Sequence, residues 1–202
     1  MVLLIALAGC IQRTLPPRPV DIPSPARVAV LPFRVDLGAG GDPDAAPVPE
    51  ETGASTARLL TERLDAAGIA VVGADAVRRA VPGPAAEGYD AQRARTIADA
   101  VGANVLVVGT LRHYVERQGS GLGVTAPASV AYEVVVVRAS DGAVLGNDRF
   151  DYTQAPLNEN LLDLPLFLEG GARWRTRAEI LERALGDTAR RLARWLGGKP
   201  TG

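Results

Sequence analysis

Apolar residues are grouped into short runs along the chain, and five of these runs have the length and composition of β-strands. The run Arg27–Phe33 is almost continuously apolar, which predicts a strand buried on both faces. Pro32 ends its pairing because proline has no N–H to donate. Further strands are predicted at 69–72, 104–116, 129–138 and 143–152. The last two are joined by Asp141-Gly142, a pair that accepts the positive φ of a hairpin turn.

Helical periodicity appears between these runs. A first helix opens at Pro49, which suits the first helical position, and ends at Gly68. A brief helix is predicted from Asp75 to Val81. A third helix follows Asp90, whose side chain suits a helix cap.

The final helix carries the clearest start and stop. Thr176 and Glu179 have the spacing of a capping box, and Gly197 follows the last apolar position. The predicted order is β-α-β-α-α-β-β-β-α. It indicates an α/β (α+β) fold over residues 26–198, with a single mixed sheet of about five strands and the helices packed on it.

Composition excludes several function classes. The formal net charge of -1 gives no reason to expect nucleic acid as a partner. The chain has one cysteine and one histidine, so we predict no metal site and no cofactor beyond a covalent lipid. After residue 10, no stretch is long and apolar enough for a transmembrane helix.

The first ten residues form a separate pattern. An apolar run, Val2–Ala8, is followed by Gly9 and by Cys10, the single cysteine. The run is too short to span a bilayer as a helix, which takes about 20 residues. The pattern closely resembles a bacterial lipoprotein signal. The resemblance implies a signal peptide over 1–9, cleavage between Gly9 and Cys10, and a lipid such as palmitate on the Cys10 thiol.

Residues 10–25 are rich in proline, which predicts a semi-rigid tether. Fifteen residues would reach about 45 Å at the polyproline rise of about 3.1 Å per residue. A disordered terminus with no role fits the composition equally well. Ile11 follows the cysteine, whereas Asp there favours the inner membrane in lipoproteins of the enterobacterial kind. The resemblance therefore implies the outer membrane, on the periplasmic face.

The folded part resembles a set of bacterial envelope α/β domains. RVAVLPF at 27–33, GIAVV at 68–72 and AVGANVLVVGTL at 100–111 carry the resemblance, which covers Arg27 to Tyr152. The set includes the amino-terminal domain of the Tol-Pal propeller protein, the curli secretion lipoprotein and the lipoprotein activators of penicillin-binding proteins. The resemblance implies a binding or assembly module of the cell envelope and carries no catalytic residue.

Few residues suggest chemistry. His113 alternates with Leu111 and Val115, which predicts a histidine on the apolar side of its strand. Gly119–Gly123 lies between two strands without a following helix, so it predicts a hairpin turn and no phosphate loop.

Two charged groups remain. Acids occur at Asp148, Asp151, Glu159 and Asp163. Paired carboxylates can perform acid–base chemistry, but this spacing predicts a solvated surface. Basic residues occur at Arg173, Arg175 and Arg177 beside Trp174. They predict a solvated face, with contact to phospholipid headgroups or an acidic partner as the alternative.

Residues 154–174 break the periodicity. Their apolar residues exceed what a short stretch can direct to one side, and Pro165 denies it a regular helix. We predict a partner-binding insertion that uses Leu161, Leu164, Leu166, Phe167 and Trp174. A lid that lies across the sheet and joins the core is the alternative.

Together these patterns predict a lipid-anchored, non-enzymatic binding or assembly module. Its partners would be the membrane and an envelope protein or a peptidoglycan-associated partner. The alternative is a cell-wall-acting enzyme that uses the acids near Asp148–Asp163.

Overall fold

The longest strand, β4 (Val105–Val115), is the centre of a six-stranded sheet in the computed structural model. The structure describes residues 22–37, 48–49, 51–81, 91–119, 124–154 and 174–197. The other strands of the sheet are β1 (Arg27–Val30), β2 (Arg34–Val35), β3 (Ala70–Val71), β7 (Ser129–Arg138) and β8 (Val144–Thr153). A separate two-stranded hairpin consists of β5 (Gln118–Gly119) and β6 (Val124–Ala126).

The sheet has the order β3-β1-β4-β7-β8, and β2 also pairs with β4. The strands β1 and β2 run parallel to β4, whereas β7 is antiparallel to β4 and to β8. Four helices, α1 (Thr52–Ala66), α2 (Ala74–Ala80), α3 (Ala91–Val101) and α4 (Arg177–Leu196), pack on this sheet. The predicted α/β fold with one mixed sheet is therefore confirmed.

Each sheet face has its own core. One contains apolar residues of α1 and α4 together with Val30, Val107 and Val134. The other contains apolar residues of α2 and α3 with Leu31 and Leu106. Because β1 and β4 contribute to both cores, their apolar runs are continuous rather than alternating.

Pairing of the first strand with β4 stops at Pro32, as the sequence predicts. Pro32 cannot donate a hydrogen bond, and the Phe33 N–H donates to the Gly53 carbonyl of α1 instead of to β4 (3.0 Å). Pairing with β4 then resumes at Arg34, opposite Thr110. The sequence therefore predicts the break at Pro32 but not the second strand, β2, that follows it.

Phe33 also explains why residues 53 and 109 are glycines. A Cβ atom on Gly109 would lie 2.4 Å from the Phe33 ring, and one on Gly53 would lie 2.1 Å from the Phe33 carbonyl oxygen. Phe33 thus occupies the space that side chains at both positions would need, and it joins α1 to the centre of the sheet.

The prediction for His113 is wrong. Leu111 lies opposite Tyr132 and His113 lies opposite Ala131, so Arg112 is an extra residue in β4. This bulge reverses the alternation and leaves His113 exposed, on the opposite face of the sheet from Leu111. The described helices include none that is long and apolar enough to cross a membrane.

Candidate functional site

Asp148 of β8 belongs to a buried polar cluster, not to the solvated surface that its spacing predicts. Its carboxylate accepts from Arg191 Nη2 (2.5 Å) and Nε (3.2 Å), and from Thr188 Oγ1 (2.7 Å). Because Thr188 donates its only proton to Asp148, the Tyr132 hydroxyl donates to Thr188 Oγ1 (2.9 Å). Both Asp148 and Thr188 are almost completely buried.

This cluster connects β7 and β8 to the last helix. The carboxylate of Asp148 is buried and engaged by the paired guanidinium of Arg191, so it serves the packing of β8 against the last helix. Asp151 is exposed and lies 3.8 Å from Arg149, whereas Glu159 and Asp163 are outside the described residues. Within the described ranges, no three His, Cys, Asp or Glu side chains are grouped so that they could hold a metal ion.

A groove of about 970 Å³ opens at the far end of β4. Its walls come from the first turns of α1 and α4 and from the last residues of β4. The polar side chains that line it include those of Glu51, Ser55, Tyr114, Glu116, Arg177 and Glu182. These residues are far apart in the sequence, and only the parallel course of α1 and α4 brings their first turns together.

Arg177 is the central cation of this groove. Its guanidinium lies over the Tyr114 ring, 4.6 Å from the centroid, and Nη1 donates to the Tyr114 carbonyl oxygen (3.2 Å). Its Nε lies 3.8 Å from Glu116 Oε2. The Arg177 side chain is only 12% exposed, so it does not belong to a solvated face as the sequence predicts.

Tyr114 is held in the phenol form over a wider pH range than a free tyrosine. Burial raises the pKa of its hydroxyl, Arg177 opposes this shift, and Glu116 adds to it. The phenol is therefore a hydrogen-bonding group here and not a base.

The start of α4 is already supplied with carboxylates. Glu179 Oε2 accepts from the Thr176 N–H (2.8 Å) and the Thr176 hydroxyl accepts from the Glu179 N–H (3.2 Å), which confirms the predicted capping box. Glu116 Oε1 accepts from the Arg177 N–H (3.4 Å). Two carboxylates thus complement the positive end of the helix dipole.

A side chain joins the two ends of the aperiodic insertion. Gln154 is almost completely buried, and its Oε1 accepts from the Arg175 N–H (2.9 Å). Its own N–H donates to the Ala128 carbonyl oxygen (3.1 Å). Gln154 and Arg175, on either side of residues 155–173, therefore lie within hydrogen-bonding distance of each other.

Only some of the predicted site residues are among those that the structure describes. Trp174 lies at the junction and is half-buried. Leu161, Leu164, Leu166, Phe167 and Arg173 are outside the described residues, as are Gly9 and Cys10. Sequence analysis missed the Gln154 junction, since nothing near residue 154 distinguishes a structural glutamine from a surface one.

No protein-family model and no curated protein matches this chain. Solved structures similar to it include a PelC dodecamer from Paraburkholderia phytofirmans, at 15% identity and a TM-score of 0.47, covering 86% of this chain and 89% of that one. The lipoprotein GNA1162 from Neisseria meningitidis is 19% identical with a TM-score of 0.44, over 72% of this chain and 93% of that one. The LpoB C-terminal domain from Escherichia coli is 14% identical with a TM-score of 0.41, over 64% and 83%.

Proposed function

We propose that the protein is a lipoprotein of the cell envelope that binds a partner protein and catalyses no reaction. Cys10 carries the lipid, residues 10–25 form the tether, and the outer membrane holds the anchor. The partner is an envelope protein or a peptidoglycan-associated protein, and it contacts the insertion 154–174, including Trp174.

The junction at Gln154 is the observation that carries this proposal. A hydrogen bond from the Arg175 N–H to Gln154 Oε1 brings together the two ends of the segment that the hydrophobic periodicity does not assign to the core. A segment with joined ends can be added to a fold without changing the sheet that supports it. Its apolar residues then serve recognition better than they serve folding.

The position where the chain enters the sheet supports the proposal, because it lies at the opposite end of the sheet from Gln154. Asn104 holds the chain at the start of β4, because its Nδ2 donates to the Pro25 carbonyl oxygen (2.8 Å) and its Oδ1 accepts from the Arg27 N–H (2.7 Å). Gln154 follows β8 at the opposite end, where Thr153 pairs with Ser129 and Ser129 pairs with Val115. The 11 residues of β4 separate these ends by about 35 Å.

The buried ion pair argues against the enzyme alternative. Of the acids near Asp148–Asp163, Asp148 is engaged by Arg191 and Asp151 is an exposed neighbour of Arg149. These two carboxylates lie on opposite faces of β8, since Asp148 faces the core and Asp151 does not. They do not form the converging pair that acid–base chemistry on a glycan requires.

Replacement of Leu166 and Phe167 by serine tests the proposal. We expect the double variant to melt like the wild type and to lose one partner in pull-downs from crosslinked envelopes. Val144→Ser is the matched control, because Val144 is 67% exposed at the other end of the sheet. The control should keep both its melting temperature and its partner.

Two outcomes contradict the proposal. A large drop in melting temperature for the double variant would show that the insertion is a lid that belongs to the core. A folded double variant that recovers the same proteins as the wild type would show that the insertion binds none of them.

A further inference from the structure

We propose that the groove between α1, β4 and α4 is a second docking site, which takes up an arginine side chain from a basic segment of a partner protein. Three carboxylates, those of Glu51, Glu116 and Glu182, lie along its walls. The groove also has apolar walls from Leu59, Leu181 and the Tyr114 ring. This site depends neither on the lipid at Cys10 nor on the insertion 154–174.

The charge of the groove favours a cation. Arg177 is the one basic residue among the described lining residues, and the Tyr114 ring and Glu116 already engage it. Glu51 is exposed at the start of α1 and its side chain does not cap the helix. Glu182 pairs with Arg63 at 2.5 Å, but both side chains are about half exposed, so a guanidinium from a partner can compete for it.

The start of α4 does not offer the groove an anion site. Glu179 and Glu116 accept from the N–H groups of Thr176 and Arg177, so carboxylates of the protein itself complement the helix dipole. An acidic ligand would also approach the carboxylates of Glu51 and Glu182. The groove therefore selects against acidic segments.

Arginine fits the groove better than lysine. Its methylene stem can lie on Leu59 and Leu181 while its planar guanidinium forms paired hydrogen bonds with a carboxylate. A lysine ammonium would form point contacts and remain strongly hydrated. We accordingly assign the groove to an arginine flanked by small or apolar residues.

Two peptides test this assignment on the full-length protein. One is an acetylated and amidated Gly-Leu-Arg-Leu-Gly, and the other carries citrulline, a neutral isostere, in place of arginine. Calorimetry at low salt should show binding of the arginine peptide at least about fivefold tighter than the citrulline peptide. The variant E51Q/E182Q should weaken binding of the arginine peptide about three- to tenfold.

Glu62→Gln is the matched control. Glu62 is an exposed acid of α1 that does not line the groove, so Glu62→Gln removes one negative charge, as Glu51→Gln alone does, and should alter the affinity less than about twofold. Glu51→Gln alone serves if the double variant is destabilised. Equal affinity for the two peptides, no binding at millimolar peptide, or an equal loss in Glu62→Gln would overturn the assignment. A change of oligomeric state in E51Q/E182Q would assign the groove to a second copy of the chain and would overturn it as well.

Discussion

Asp141 lies in the turn between β7 and β8, and its carboxylate accepts three hydrogen bonds. Two come from Arg138, from Nε (2.9 Å) and Nη2 (2.6 Å), and one comes from the Ala143 N–H (3.1 Å). These bonds lower the pKa of Asp141 from 3.8 to about 2, with the Arg138 hydrogen bond as the largest cause. The stabilisation is present above pH 3.8 and is lost as the pH falls through about 2.

Carboxyl NMR titration checks this prediction. We expect a midpoint near 2 for Asp141 in the wild type and a clear rise toward 3.8 in Arg138→Gln. The neighbouring hairpin amides should follow the same titration. A wild-type midpoint at 3.8 would show that the turn does not hold the carboxylate in solution.

A side chain at position 109 should destabilise the fold. We expect Gly109→Ala to lower the free energy of unfolding by about 1–3 kcal/mol, because the Phe33 ring must move. Gly73→Ala is the control, since a Cβ there meets no atom within 4 Å and its φ is negative. Denaturant unfolding measures both variants, and equal stability of the two would contradict this account.

At the residue scale, the sequence predicts local chemistry and misses distant partners. The Asp141-Gly142 turn and the Thr176–Glu179 capping box were both predictable, because each depends on residues within three positions. The burial of Asp148 was not, because Arg191 is 43 residues away. Hydrophobic spacing alone assigns an aspartate on a strand to the solvent side.

At the element scale, the Asp148–Arg191 pair joins β8 to α4. Asp148→Asn should cost about 3–5 kcal/mol of unfolding free energy, because it leaves the largely buried Arg191 guanidinium without its counter-charge. Asp151→Asn on the same strand should cost less than about 1 kcal/mol, since its pair with Arg149 is exposed. Thermal or denaturant unfolding compares the two variants. Similar losses of unfolding free energy would show that the buried pair stabilises the fold no more than the exposed pair does.

Most strands and helices could be predicted within one or two residues. The predicted strand 129–138 agrees with β7 as observed, and the predicted helix start at Thr176 agrees with its N-cap. Three features could not be predicted: the renewed pairing at Arg34 after Pro32, the bulge at Arg112, and the short strands β5 and β6. Each arises from pairing with a neighbour, such as Gly53 with Phe33, that periodicity within one segment does not encode.

At the scale of the whole molecule, the entry of the chain and the groove lie at opposite ends of the sheet. The chain enters beside Asn104, whereas the groove and the Gln154 junction lie at the end where β4 stops. The sequence could not predict this arrangement, because Glu51, Tyr114 and Arg177 become neighbours only through the strand order and the parallel course of α1 and α4. In the proposed function, the lipid anchor lies at one end of the sheet and the partner is met at the other.

The proposed anchor at the entry end of the sheet depends on lipidation of Cys10. Protein extracted from the membranes of its native host should have lost residues 1–9, and Cys10 should carry acyl mass in intact-mass spectra. Cys10→Ser should keep the uncleaved mass and lack the acyl groups.

Ile11→Asp is the matched control for the assignment to the outer membrane. In density-fractionated envelopes, we expect the wild type with outer-membrane markers and Ile11→Asp, if the host follows the enterobacterial rule, with inner-membrane markers. Both should carry the same acyl mass, so the variant changes the address and leaves the anchor intact. Recovery of the wild type with inner-membrane markers would contradict the outer-membrane assignment alone. A soluble, unmodified wild type would show that the protein has no lipid anchor. The two ends of the sheet would then have no reason to differ in their exposure to a partner.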